Sequence, residues 1–275
     1  MEQKSFFFLA GLQRSGATLL SSILNQNPNM WVSPASPLFR LMATEISIIY
    51  DSAENADYDR KDGIARAIMQ TPHAFYADKK AKYVIDKNLN WQTPNGVGLI
   101  KTYITENPKI ICPVRSITEI LASFDAIITS VKGNEENSID AAVQQETIPV
   151  GNLADRRAEW LMRHDKDIPI CLNGMKLALN PDLRDMFYFI EYDDLIADTH
   201  GQVERLYDFL ELEHFEHEYQ NIVDPTGISE DSPVTGITHL HKVRPKIEKR
   251  SVNPADVLSA ETIQRYSGLE FWRKL

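Results

Sequence analysis

The stretch KSFFFLAGLQRSGATLLSSILNQNP, from Lys4 to Pro28, decides the fold. Ser5 to Ala10 is a short apolar run of the kind that forms a strand buried on both faces. Gly11-Leu12-Gln13-Arg14-Ser15-Gly16 follows as a glycine-bounded loop. Leu19, Leu20, Ile23 and Leu24 then repeat at helical spacing until Asn25 to Pro28 stop the pattern. Strand, glycine loop and helix in this order aim several backbone N–H groups at one anion. The stretch predicts a phosphate-type site at the end of a buried strand.

The spacing sharpens that expectation. Gly11 and Gly16 are five apart, and Thr18 stands where the hydroxyl residue of a G-x-x-x-x-G-K-[ST] loop stands. The lysine of that motif is replaced by Ala17, and a cation comes earlier, at Arg14. A nucleoside triphosphate site uses that lysine beside magnesium to neutralise the β- and γ-phosphates. Its absence counts against a kinase-like phosphotransferase, which stays as an alternative. Plain turn chemistry does not account for Arg14, Ser15, Gly16 and Thr18 together.

Outward from this stretch, buried strands are predicted at Tyr83 to Asp86, Lys109 to Val114 and Met186 to Ile190. Pro113 is expected to end the second of these. Ser33 to Pro37 reads as a loop, with a helix starting near Pro37. Helices are also expected around Ile64 to Ile68, His73 to Lys80, Val97 to Thr105, Ile117 to Phe124, Asp155 to His164 and His200 to Leu212. Arg156, Arg157 and Arg163 read as a solvated face, and Val131 to Gly151 as a surface loop or lid. The alternation of strand and helix predicts an α/β fold: one three-layer domain over residues 1–275, a central parallel sheet flanked by helices.

Composition bounds the partners. The net charge of −10 argues against general nucleic-acid binding. No run approaches the ~18 apolar residues of a membrane span. Cys112 and Cys171 have no metal-ligand spacing, and so few cysteines fit a reducing compartment. The expectation is a soluble, cytoplasmic protein without a metal.

In an open parallel sheet, ligands bind beyond the carboxyl ends of the strands. Polar residues stand at four predicted strand ends: Arg14, Asp86-Lys87, Arg115 and Tyr192-Asp193. Each has a plainer alternative: Arg115 as a surface ion pair, Ser123 as a packing residue, Tyr192 as a core tyrosine, and Lys87 as the partner of Asp86. The run from Val234 to Arg250 is basic in an acidic chain, and reads as a solvated charge run or as a loop folded over an anion.

LAGLQRSGATLLSSILNQNP resembles the 5′-phosphosulfate loop of sulfotransferases that use 3′-phosphoadenosine 5′-phosphosulfate (PAPS). The likeness is to the branch with an R-S-G-[TS]-T-L core, which includes tyrosylprotein and many bacterial enzymes. It implies a P-loop-like sulfotransferase fold with Arg14 as the loop's cation. Ser15, Gly16, Ala17, Thr18 and Leu19 would then supply amides, and Thr18 its hydroxyl, to the 5′-phosphate. KIICPVRSITEILASF resembles the 3′-phosphate block, with Arg115 and Ser123 as the binding pair. Tyr192 matches the tyrosine that lies against adenine, and Arg244 the cofactor-covering loop. VIDKNLNW resembles the block whose lysine, here Lys87, reaches the sulfuryl group.

The resemblance implies sulfuryl transfer from PAPS to a hydroxyl or amine on a small-molecule, carbohydrate or peptide acceptor, releasing 3′,5′-ADP. Arg14 and Lys87 would stabilise the developing charge. The base is less legible. The family's histidine position holds Leu89 and its glutamate position Ala35, which leaves Asp86, His73 and His241. A nucleotide-binding protein without turnover is the other reading.

Overall fold

The computed structural model describes residues 4–51, 61–130, 138–146, 148, 151–223, 245–249 and 251–275. Five strands form one sheet: β1 (Ser5–Leu9), β2 (Met30–Ala35), β3 (Tyr83–Lys87), β4 (Ile110–Val114) and β5 (Phe187–Glu191). Every pairing is parallel, and the order across the sheet is β2-β3-β1-β4-β5. The helices, in chain order, are α1 (Ala17–Leu24), α2 (Leu38–Asp51), α3 (Lys61–Phe75), α4 (Pro94–Tyr103), α5 (Ile117–Ser130) and α6 (Ser138–Gln145). They continue as α7 (Leu153–Leu161), α8 (Asp167–Met175), α9 (Pro181–Arg184), α10 (Tyr192–Ala197), α11 (Thr199–Leu210) and α12 (Ala260–Tyr266).

Strand alternation divides the apolar side chains between two cores. Phe6 and Phe8 enter the larger one, beneath α2 to α8, while Phe7 and Leu9 enter the smaller one, beneath α1 and α11. Phe8 and Leu9 are both fully buried, each worth about 1.5–3 kcal/mol relative to exposure. This two-sided burial is why β1 reads as an unbroken apolar run.

Chain order fixes where a ligand can enter. From β1 the chain leaves toward β2, and from β4 it leaves toward β5, so the two connections diverge between these adjacent strands. That divergence opens a crevice at the carboxyl ends of β1 and β4. The loop after β1 and Arg115 after β4 flank it.

Several expectations are corrected. Residues predicted as a loop from Ser33 belong in part to β2, an edge strand with a register shift between Val32 and Ala35. An edge and a bulge are where a proline such as Pro34 costs no ladder bond. β4 runs through Pro113, whose carbonyl accepts from Leu12 N at 2.8 Å. α3 continues through Pro72 and His73, where a separate helix was expected. The presumed loop from Val131 contains α6, which buries Ile139 and Val143. Arg157 is buried, not solvated: it donates to Asp125 at 2.6 Å and to both oxygens of Asp140 at 2.7 Å.

Candidate functional site

Gly11 leaves β1 at φ 77°, and a Cβ there would stand 2.3 Å from the Pro113 carbonyl oxygen. Only glycine allows the loop to cross β4 this closely. The buried side chain of Gln92 clamps the same residue, accepting from Gly11 N at 2.7 Å and donating to Gly11 O at 2.8 Å. Gln92 was not singled out in the sequence. An amide beside Trp91 carries no local signal of pairing with a backbone 81 residues away. Ser15 is also turned inward, its hydroxyl donating to Pro113 O at 2.9 Å and to Leu12 O. The loop is therefore fastened from below, with its backbone fixed before any ligand arrives.

Arg14 has φ 61°, a left-handed conformation that only glycine adopts without cost. Holding it costs on the order of 1–3 kcal/mol, and such strain concentrates where a side chain must be aimed. Gly16 follows at φ 89° as the N-cap of α1. The first intrahelical bond runs from Leu20 N to Gly16 O, so Ala17, Thr18 and Leu19 make up the opening turn of α1 ahead of that bond. Those three half-buried residues form the positive end of α1.

The predicted cofactor residues converge. Arg14 Nε donates to Ser123 Oγ at 3.3 Å, joining the loop to α5 across 109 residues of sequence. Arg115 Nη1 donates to Arg14 O at 3.4 Å, and its guanidinium lies 4.4 Å from the ring centre of Tyr192. A Cβ on Gly16 would approach that ring to 3.0 Å, so Tyr192 also abuts the loop. Burial, then the charge of Arg115, holds the Arg14 guanidinium below its ordinary range. Two cations confined this way create a field that favours an anion.

Lys87 closes β3, registered against Leu9 of β1 and Ala35 of β2. Its backbone N donates to Ser33 Oγ at 2.9 Å, and its carbonyl accepts from Ser36 N at 2.9 Å. Asp86 lies on the opposite face, as strand alternation requires, so the alternative reading of Lys87 as the partner of Asp86 has no support in the strand geometry. Asp86 is 0 % exposed, with Oδ2 accepting from Tyr76 OH at 2.5 Å and Oδ1 from Trp91 Nε1 at 2.6 Å. Burial pushes its carboxyl above the usual range. This geometry does not support the expected role as base, because a base needs an oxygen within reach of the substrate.

His73 packs edge-on against Phe6, at the far end of β1 from the loop, with ring centres 5.0 Å apart. His241 and Arg244 lie outside the described residues. A feature without sequence signal is Glu270, whose Oε1 accepts from Ile117 N at 3.0 Å and so caps α5 from 153 residues away. Among the described residues, no helix is long and apolar enough to cross a membrane.

Comparison with known proteins places this geometry in a family. A model described as the sulfotransferase family matches residues 7–217. No curated protein sequence matches the chain. Among solved structures, the sulfotransferase domain from the curacin biosynthetic pathway is 16 % identical, with a TM-score of 0.54 and 96 % of each chain covered. A sulfotransferase from Alicyclobacillus acidocaldarius is 13 % identical with a TM-score of 0.51, over 82 % of this chain and 88 % of that one. At such identity these two show a shared fold, while the family model spans the loop, Lys87, Arg115 and Tyr192 together. The chain belongs to the sulfotransferase family.

Proposed function

We propose that the protein transfers a sulfuryl group from PAPS to a hydroxyl or amine of a small-molecule, carbohydrate or peptide acceptor, releasing 3′,5′-ADP. The observation that carries this reading is the convergence of Arg14, Ser123, Arg115 and Tyr192 at the crevice between β1 and β4. In this reading the 5′-phosphate sits on the amides of Ala17 to Leu19 and the Thr18 hydroxyl, at the positive end of α1. The 3′-phosphate takes Arg115 and Ser123, with the charge-assisted, forked donors that a phosphate dianion requires. Tyr192 stacks on the adenine, and Arg244 belongs to the chain that covers the nucleotide.

The transfer forms a bond from the acceptor oxygen or nitrogen to sulfur as the bond from sulfur to the bridging oxygen breaks, and the acceptor's proton passes to a base and from it to water. The electron pair stays on the bridging oxygen, which becomes part of the 5′-phosphate of 3′,5′-ADP. Arg14 and Lys87 are assigned to the growing negative charge there, preorganised by the fastened loop and by the strand pairing of Lys87. Asp86 is assigned to holding β3 through Tyr76 and Trp91. The reading places the protein in a single domain and in the cytoplasm, and assigns no step to a metal.

Thermal shift tests the ligand class. 3′,5′-ADP should raise the melting temperature equally with and without EDTA, and ATP with magnesium should not. Stabilisation by magnesium ATP alone would favour the phosphotransferase reading. Stabilisation by 3′,5′-ADP with no consumption of PAPS against any acceptor would favour a binding protein.

A further inference from the structure

Arg115 and Tyr192 stand just beyond the last rung of the sheet. β4 and β5 pair as far as Val114 against Glu191, and each of the two site residues directly follows a member of that pair. Ladder bonds therefore do not set the 4.4 Å between the Arg115 guanidinium and the Tyr192 ring centre. That spacing depends on what holds the two chain segments past the rung.

One stretch of chain holds both. Glu270, 8 % exposed, accepts from Ile117 N at 3.0 Å, two residues beyond Arg115. That amide is one of those that open α5 and that the helix itself does not pair. Immediately before Tyr192, Glu191 Oε1 accepts from Trp272 Nε1 at 2.7 Å and from Arg273 Nε at 2.6 Å, and Oε2 from Arg273 Nη2 at 3.1 Å. Phe271 packs edge-on against Phe189, two residues before Glu191 and so on the same face of β5. The short 3₁₀ turn Phe271–Lys274 is thus pinned to β5, and Glu270 reaches from it to α5. Arg115 itself is bonded to Glu119 Oε2 at 2.9 Å and to the Arg14 carbonyl at 3.4 Å. Its charge acts through space on an anion whatever those bonds are, so the place of the guanidinium is what such a clasp controls.

We propose that Glu270 is a positioning residue for the nucleotide's 3′-phosphate: it clasps the start of α5 to the end of β5 and so fixes where the charge of Arg115 stands beside Tyr192. This inference rests on the nucleotide reading given above. Reach, not charge, is the property that matters. Glu270→Gln keeps an oxygen in place for Ile117 N and removes the charge, whereas Glu270→Asp keeps the charge and withdraws the oxygen by one methylene.

The test is calorimetric titration of wild type, E270Q and E270D with 3′,5′-ADP and with 5′-AMP, after circular dichroism has confirmed that each variant is folded. E270D should bind 3′,5′-ADP more weakly by about fivefold or more, the loss of one hydrogen bond, and 5′-AMP within about twofold of wild type. E270Q should stay within about threefold of wild type for both nucleotides. Amide exchange of the wild type gives a second reading that needs no variant to fold. There 3′,5′-ADP should slow exchange across residues 270–274 by about threefold or more, and 5′-AMP should not, because a site and its clasp are coupled in both directions. Equal losses for both nucleotides in E270D would make Glu270 a support of the fold alone and overturn the proposal. So would wild-type affinity for 3′,5′-ADP in E270D, E270Q falling as far as E270D, or exchange across 270–274 that bound 3′,5′-ADP leaves unchanged. Failure of the wild type to bind 3′,5′-ADP at all would sink the nucleotide reading itself, a result distinct from failure of Glu270 alone.

Discussion

At Arg14, backbone and side chain make opposite demands. Its φ of 61° is unfavourable for any side chain, yet the residue carries the loop's cation to Ser123. Arg14→Gly should therefore leave the melting temperature unchanged or raise it, while turnover falls by about 10²-fold or more. A matching loss of stability and turnover would mean that Arg14 is structural. Arg115→Ala should weaken 3′,5′-ADP by roughly 2–5 kcal/mol, as when one partner of a desolvated charge pair is removed. Binding of 5′-AMP, titrated alongside, should barely change.

A third residue gives a pH signature away from the site. Burial lowers the imidazole of His217 from 6.5 to about 4. Asn27 Nδ2 donates to Tyr207 OH at 3.1 Å, and that hydroxyl also bonds His217 Nε2 at 3.1 Å, where a neutral ring can accept its proton. Between these two pKa values the unfolded chain takes up a proton that the folded chain refuses. Stability therefore falls as pH drops from about 6.5 toward 4, by roughly 3 kcal/mol in total. In urea unfolding across that range, His217→Gln should flatten this part of the profile, and an unchanged slope would assign it to other groups.

At the scale of elements, the β3 end and the loop after β1 form one unit. Gln92, just beyond Lys87, ties its short 3₁₀ turn (Leu89–Gln92) to both backbone groups of Gly11. Gln92→Ala should leave a buried donor and acceptor unpaired, costing about 1–3 kcal/mol for each. Because the proposed function makes the loop the binding surface, 3′,5′-ADP affinity should fall together with the melting temperature. Asp86→Asn should separate from this: it disturbs Tyr76 and Trp91, lowers the melting point, and leaves low-temperature turnover near wild type. Loss of turnover with PAPS still bound would restore Asp86 as the base.

These elements also show what sequence can carry. β1, β3, β4 and β5 were legible because burial on both faces makes each an apolar run. β2 was not, because an edge strand with a bulge tolerates Pro34 and so resembles a loop. Arg14, Arg115 and Tyr192 were legible as polar residues at predicted strand ends, whereas Ser123, inside α5, was singled out only through the resemblance of its block. Gln92, Glu119, Glu270 and the burial of Arg157 were not, because each depends on partners that only the folded sheet and its helices select. The inward-facing oxygens of Asp86 were hidden for the same reason.

At the scale of the whole molecule, the sheet order opens a crevice between β1 and β4, flanked by the loop after β1 and by Arg115. Nucleotide recognition and chemistry should therefore be separable by mutation within one site. Lys87→Ala is expected to lower kcat by about 10²–10³-fold with PAPS affinity little changed, because its ammonium meets charge that appears mainly in the transition state. Lys87→Arg should not restore the rate fully, since a planar fork does not replace a compact ammonium. The most direct measurement is incubation of the protein with sulfur-labelled PAPS and fractionated host extract, following label and 3′,5′-ADP together. The account predicts label leaving PAPS for an acceptor in step with 3′,5′-ADP, unaffected by EDTA and nearly abolished in Lys87→Ala. PAPS bound by the wild type but left intact in every fraction, or label transfer undiminished in Lys87→Ala, would contradict it.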